Sequence, residues 1–364
     1  MGFLLSEEQQ ALRATARKFV QAELPIAHLR ALRDSNDPVG FSRPIWKKMA
    51  ALGLVGVAIP SEWGGQGLGY AECGLLVEEC GHTLAPVPWL STVALGANAL
   101  LAGTESQRRE VVPAIAAGEK IVALAFSGSV KANRRDGKFV LSGAMEFVFD
   151  GHAADLVIVI ADVEEVGPTL FCVEPNTAGF ARRRVALVDS RPVAHLQFEA
   201  VSVSAAAMLG EPGGGPRILE TVLDCSRALL SAEMLGSIDE VFIRTVTYLK
   251  DRKQFGVPIG SFQALKHRAA QLFCEIELCR SIVLDALRAL DDKRENAALL
   301  VSAAKARASD VFVQMVNEAV QMHGGIGVTD ELDIGLFLKR AKVAATMLGS
   351  ASFHRDRFAR LSGY

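Results

Sequence analysis

Two consecutive stretches near the C-terminus carry small and apolar residues at alternating spacings of four and three. The first runs Leu265, Ala269, Leu272, Ile276, Cys279, Val283, Ala286 and Leu290. The second runs Ala297, Val301, Ala304, Ala308, Val311, Met315, Ala319 and Met322. That spacing puts one narrow stripe on each of two long helices, a seam suited to packing helix against helix. Asp291-Asp292 marks the break between them. Alanine recurs in both stripes, so the axes can approach closely, and the pattern predicts a C-terminal helical bundle. The bland reading of every stripe residue is core. Two such seams also leave more apolar surface than one bundle needs, so a dimer or tetramer is expected.

The remaining chain has a different grammar. Residues 1–118 read as helices with short breaks at Pro44, Pro60 and Trp63-Gly64-Gly65-Gln66-Gly67. Ser6 before Glu7 and Glu8 is a capping hydroxyl followed by first-turn acids. Between 119 and 212, LVIVIADV, TLFCVEP and HLQFEAVSV are short, β-branched and bounded by turn residues, which predicts strands. Helical spacing returns from 213 to 364. The expectation is an α+β chain with three domains in the order α, β, α: 1–118, 119–212 and 213–364.

Charge removes several function classes. With 39 basic and 41 acidic side chains, the net charge of −2 gives no electrostatic case for nucleic acid or an anionic membrane. No charge-free stretch of about 18 apolar residues occurs, so no membrane span is expected. The start MGFLLSEEQQ turns charged at Glu7, unlike a signal peptide. Gly2 with Ser6 is a weak myristoylation pattern without a second lipid signal. Among six cysteines, Cys73/Cys80 and Cys274/Cys279 are seven and five apart. No CxxC pair exists, so neither disulfides nor a metal cluster is expected, and the localisation expected is cytoplasmic.

Two segments offer chemistry. Arg252-Lys-Gln-Phe255-Gly256, followed by Pro258-Ile-Gly260-Ser-Phe-Gln263, ends one long helix and turns into the seam helix. A guanidinium there suits a pyrophosphate, and equally a helix C-terminus with a glycine cap. Gln321-Met-His323-Gly324-Gly325-Ile-Gly327 ends a helix in glycines that let backbone approach a ligand, or simply stop the helix.

Together, in this order, these segments resemble the acyl-CoA dehydrogenase family of flavoproteins nearly end to end. Pro60-Ser-Glu-Trp-Gly-Gly-Gln-Gly, the run Phe147-Val-Phe-Asp-Gly151 and Ser261-Phe-Gln263-Ala add to the likeness. The resemblance implies an N-terminal helical domain, a central β-barrel-like domain and a C-terminal four-helix bundle, usually assembled as a dimer of dimers. It implies FAD as cofactor and α,β-dehydrogenation of an acyl-CoA in β-oxidation or other lipid metabolism. A carboxylate would remove the α proton while the β hydride goes to flavin, and an electron-transfer flavoprotein would be the acceptor. By the family pattern, Arg252, Phe255, Gln321, Gly324 and Gly325 serve the FAD of a neighbouring subunit, and Gln263 is a further cofactor-binding residue. The same pattern gives Ser127, Phe147, Phe149 and Ser350 to the flavin within the subunit, makes Phe126 a further cofactor-binding residue, and gives Arg227 to substrate. Gly128 stands where an acid is usual, and Phe149 where a hydroxyl is usual; a phenyl ring donates no hydrogen bond.

The base is the main departure. Most members carry it at the place of Leu348, a minority at the place of Ser226. Leucine takes no proton, and an unassisted serine is a very poor base. Glu233, seven residues beyond Ser226 and about 10 Å along the same helix face, is the fallback. Asp224 and Glu220 face elsewhere. Each of these acids also reads as a solvated or paired carboxylate. His354 reads as a surface histidine or as a group near the site mouth. Two function hypotheses follow: a working FAD-dependent dehydrogenase of a bulky or steroid-derived acyl-CoA with an unusual base, or a non-catalytic subunit of a heterotetramer. In the second, this chain completes the FAD site of a base-bearing paralogue. Non-redox thioester chemistry on the same fold is a third reading.

Overall fold

The computed structural model describes residues 5–364; the Met1-Gly2 start lies outside them. Element types follow the expected order. Helices α1 (Glu7–Glu23), α2 (Ile26–Asp34), α3 (Arg43–Ala51) and α4 (Tyr70–His82) come first. A π-helical turn Leu90–Ala97 then runs into α5 (Asn98–Leu100), and α6 (Glu105–Ala116) follows. The strands are β1 (Val122–Ala125), β2 (Gly128–Arg135), β3 (Lys138–Phe149), β4 (Leu156–Val163), β5 (Gly167–Val173), β6 (Phe180–Ala186), β7 (Pro192–Ser204) and β8 (Met208–Leu209). Then come α7 (Gly215–Asp251), the small hairpin β9 (Lys253–Gln254) and β10 (Val257–Pro258), α8 (Gln263–Asp291), α9 (Ala297–His323), α10 (Ile334–Thr346) and α11 (Ala351–Leu361).

Compactness cuts the chain differently from the three consecutive segments read by element type. One unit comprises the chain up to Ala31, Gly69–Ala85 and Arg227–Tyr364; the other comprises Leu32–Leu68 and Pro86–Ser226.

The second unit is built on a mixed sheet ordered β6-β7-β3-β2-β4-β5-β8, with β1 also pairing β4. Strands β1 and β2 both run parallel to β4, sharing its edge at Leu156–Val159 and Asp162–Val163. The remaining pairings are antiparallel. Inward residues such as Leu141, Val157, Phe171, Leu196 and Phe198 form one buried cluster. The alternating pattern on β7 supplies its share. Thr92 Oγ1 on the π-helical turn accepts from Val122 N at 3.3 Å, fastening that turn to β1.

The other unit is the helical one. Ser6 caps α1, and Gln9 bonds back to Ser6 N, a reciprocal box that adds to the expected acids. In α8, Leu272, Ile276, Cys279, Val283 and Ala286 are buried as the seam predicts, while Leu265, Ala269 and Leu290 are half-buried. In α9, the seam is buried from Val301 to Met322, and Ala297 is half-buried. The two helices run antiparallel, with Arg268 pairing Glu318 and Arg307 pairing Glu275. Asp291 ends α8 as expected. Its carboxylate also accepts from Tyr70 N at 2.6 Å and Ala71 N at 2.9 Å, capping α4. Helices α4 and α7 touch backbone to backbone: a Cβ on Gly236 would lie 1.8 Å from the Glu78 carbonyl oxygen. Among the described residues no helix is long and apolar enough to cross a membrane.

Candidate active site

The residues singled out by sequence fall on both units. In the sheet unit, Ser127 precedes β2 and Phe147 lies near the end of β3. Glu146 N donates to Ser127 O at 2.7 Å, so the two positions are neighbours at the open end of the β2–β3 pair. The register slips by one residue between Met145 and Val148, a bulge, and Phe147 takes φ +54° there. The bulge turns the Phe147 ring outward, half exposed, 5.4 Å from the His195 ring. Ser127 is exposed and Phe126 half-buried. Phe149 is packed inside the unit instead. Gly128 has φ +138°, and a Cβ there would sit 2.3 Å from the Ala144 carbonyl oxygen. The backbone itself therefore excludes an acid at this position.

Asp150, next in the same run, was not singled out by its sequence position. It is buried and accepts from Ser91 Oγ at 2.6 Å. Burial raises its pKa to about 6, against the pull of the Ser91 hydrogen bond. The available signal was an acid inside an apolar strand end.

In the helical unit, one end of α7 and α9 gathers the second group. Tyr248 stacks on His323 with ring centroids 4.4 Å apart, and its hydroxyl donates to His323 O at 3.3 Å. Arg252 follows one turn after Tyr248, and its carbonyl accepts from Ile259 N at 2.8 Å. Between β9 and β10, Phe255 and Gly256 have φ +53° and +81°, the two-residue turn with both central residues left-handed. Phe255 is 92% exposed although its backbone is strained to hold it there. Gln263 opens α8, and the α8–α9 register puts it level with the end of α9. Gln321, Gly324 and Gly325 are exposed. Gly324 has φ +65° and ψ −144°, a conformation essentially reserved for glycine. A Cβ on Gly256, Gly324 or Gly325 would meet nothing within 4 Å. A guanidinium, open glycine backbone and a proffered phenyl ring thus lie together. That donor set fits a diphosphate-bearing group such as FAD, supplied from outside this chain's own packing.

The third group surrounds the turn Met347–Ser350, again in the helical unit. Leu348 has φ +56° and Gly349 φ +111°. Ser350 caps α11, accepting from Phe353 N at 3.2 Å. Arg227 is buried; its Nε donates to Leu348 O at 3.1 Å, and its guanidinium lies 5.6 Å over the Phe353 ring. His354 corrects the surface-histidine reading. It is fully buried, because α11 turns that face onto the bundle, and its Nε2 donates to Leu348 O at 3.1 Å. Burial, with Lys305 and Arg227 nearby, lowers its pKa to about 4, so the imidazole is neutral at pH 7.

The remaining base candidates are engaged elsewhere. Ser226 is fully buried, and its hydroxyl donates to Ala94 O at 3.0 Å and Val222 O at 2.8 Å. Glu233 accepts from Arg340 at 3.1 Å, and that arginine is only 3% exposed. Asp224 is buried. Glu78, His82 and Asp239 also approach one another within 4.8 Å. The two acids there are held by Arg13 at 2.9 Å and Arg280 at 2.7 Å, which makes the trio part of an ion-pair network joining α1, α4, α7 and α8.

The chain is similar to known proteins along most of its length. The acyl-CoA dehydrogenase N-terminal domain model matches residues 6–119, and the C-terminal domain model matches residues 213–362. The chain is 32% identical over 349 residues to acyl-CoA dehydrogenase IpdE2 of Mycolicibacterium smegmatis, covering 95% of this chain and 96% of that protein. Among solved structures, a variant of the Tcur3481-Tcur3483 steroid ACAD is 29% identical with TM-score 0.88, over 98% of each chain. The ChsE4-ChsE5 complex from Mycobacterium tuberculosis is 27% identical with TM-score 0.92, over 100% of each chain.

Proposed function

The chain belongs to the acyl-CoA dehydrogenase family, and from that premise we propose that it is the base-less subunit of a heteromeric acyl-CoA dehydrogenase. In this reading it completes the FAD site of a base-bearing paralogue in a dimer of dimers. The substrate is a bulky, steroid-derived acyl-CoA, and an electron-transfer flavoprotein is the acceptor. Members of the family bind FAD, which supplies the hydride acceptor for the acyl β-carbon. The observation that carries the reading is Leu348, an alkyl side chain at the usual base position. Ser226 is sealed against carbonyls and Glu233 is paired with Arg340, so neither offers a free carboxylate in its place. The steroid-type substrate is supported by the likeness to the steroid ACAD, and the two-protein assembly by the likeness to the ChsE4-ChsE5 complex.

The residues divide the work as follows. Arg252 and the backbone at Gly324 and Gly325 hold the diphosphate of a neighbouring subunit's FAD, with Phe255, Gln263 and Gln321 beside it. Ser127 and Phe147 face the flavin ring in their own subunit. Leu348 holds no proton in exchange, so α-proton removal falls to the paralogue's carboxylate.

The test is flavin content and ferrocenium-linked turnover of the purified chain, alone and then mixed with a base-bearing paralogue. Turnover is expected only in the mixture. Turnover by the unmixed chain at ordinary enzyme rates, about 1–10 s⁻¹ or faster, sinks the partner reading and makes Glu233 the first base to mutate.

A further inference from the structure

Lys305 lies next to Ala304, at the margin of the alanine-rich seam of α9, and it is fully buried. Lysine is almost never fully buried without partners. Here all its partners are neutral oxygens. Nζ donates to Ser309 Oγ at 3.0 Å, Ala344 O at 3.0 Å and Gly349 O at 3.1 Å. Three acceptors match the three N–H bonds of an ammonium; a neutral amine has only two. Ala344 lies in the last turn of α10 and Gly349 in the turn beyond it. The adjacent Leu348 carbonyl accepts from Arg227 on α7 and His354 on α11. Side chains from three helices thus grip two successive carbonyls of one turn. The turn they grip holds a branched residue, Leu348, at φ +56°, a conformation such side chains disfavour. A Cβ on Gly349 would lie 2.7 Å from His354 Nε2, so the clamp also requires glycine there.

We propose that Lys305 is the positioning residue of this turn: its ammonium on Gly349 O, with Arg227 and His354 on Leu348 O, fixes the point from which side chain 348 is presented. The meaning of that point for an acyl-CoA rests on the function proposed above; the clamp itself does not. In that reading the residue presented is leucine, and side chains of three helices nonetheless fix the place from which it is presented. The groups facing Lys305 are Arg227 from α7, His354 from α11 and the Ala344 carbonyl from α10, with Arg357 of α11 beside His354. The arginines are permanent cations and His354 is neutral above about pH 4, so Lys305 is the member of this set that titrates near neutrality. Burial, and then Arg227, lowers its pKa to about 7.

The test is native-state hydrogen exchange read by mass spectrometry on the purified chain, without substrate or partner. Peptides across 344–356 report the turn, and peptides across 311–322 of α9 serve as the reference. Lys305→Met should speed exchange in the turn by about tenfold or more while the α9 reference stays protected. Adding Leu348→Gly to that variant should restore most of the protection, because glycine holds a positive φ without a clamp. Unchanged turn protection in Lys305→Met overturns the proposal, as does a loss that Leu348→Gly fails to repair. Should Lys305→Met not fold, the wild-type chain gives the answer by itself. Corrected for intrinsic rates, turn exchange relative to α9 should rise severalfold between pH 6 and pH 8.5, as one of the three acceptors loses its donor. A flat ratio refutes the assignment. None of these readouts involves flavin or turnover, so a failure here is distinguishable from a failure of the partner-subunit reading.

Discussion

The turn at Met347–Ser350 and the glycine end at Gln321–Gly325 both place backbone in left-handed conformations, yet they are completed in opposite ways. The turn is satisfied from within: Lys305, Arg227 and His354 occupy its carbonyls. The glycine end is left open, with clear space over Gly324 and Gly325 and the Phe255 ring almost wholly exposed. Strain held by a chain's own side chains reports internal architecture. Strain that projects an aromatic ring and bare backbone into solvent reports a ligand or partner that arrives from outside. The first region presents an alkyl side chain, Leu348, and the second presents a guanidinium, bare backbone and a phenyl ring.

The sharpest way to break this contrast is to put a carboxylate on the turn. If the turn still presents residue 348 productively and the chain binds FAD alone, Leu348→Glu should raise flavin bleaching by an acyl-CoA by about 10²- to 10⁴-fold. Stopped-flow absorbance checks this; a flavin-loaded variant that bleaches no faster than wild type would place the turn away from the chemistry. Next in size is Glu233→Gln. Like the turn, Glu233 is satisfied by its own chain, and removing its charge leaves Arg340 buried without it. A loss of about 3 kcal/mol is expected from the urea midpoint. A silent substitution would mean that the pair is not what holds α7 to α10.

Arg252→Ala probes the open end. Removing a charged donor should weaken flavin retention roughly 10- to 100-fold, with helix content unchanged. Equilibrium dialysis and circular dichroism read the two quantities, and full flavin stoichiometry at sub-micromolar FAD would refute the assignment. The smallest effect belongs to Leu348→Gly in the otherwise intact chain. Relief of the positive φ should offset the added unfolded-state entropy, leaving stability within about 1 kcal/mol of wild type. A much larger loss would show that the leucine side chain packs as core rather than as the presented residue.

Much of this was legible in the letters. The 4-3 spacing located α8 and α9, and β-branched runs located β4, β5 and β7. The glycines of the two motifs announced positions with positive φ, as at Gly256 and Gly324. Other features were not legible. The seam could not show that Leu265 and Ala269 stay half-open within one chain, because the spacing names a face and not what covers it. Phe147 and Phe149 look equivalent in sequence, and only the bulge between Met145 and Val148 turns one out while the other stays in.

The sequence by itself determined the order of helix, sheet and helix, the family, and the absence of a carboxylate at positions 348 and 226. These follow from residue identity and short-range period, which are properties of neighbours along the chain. Only the tertiary structure decided which remaining groups are engaged. Glu233 finds Arg340 across 107 residues, Arg227 finds Leu348 across 121, and Lys305 finds Gly349 across 44. No local spacing encodes such pairs. They exist because packed helices bring buried donors and acceptors to the same depth, and each must be satisfied there once water is excluded.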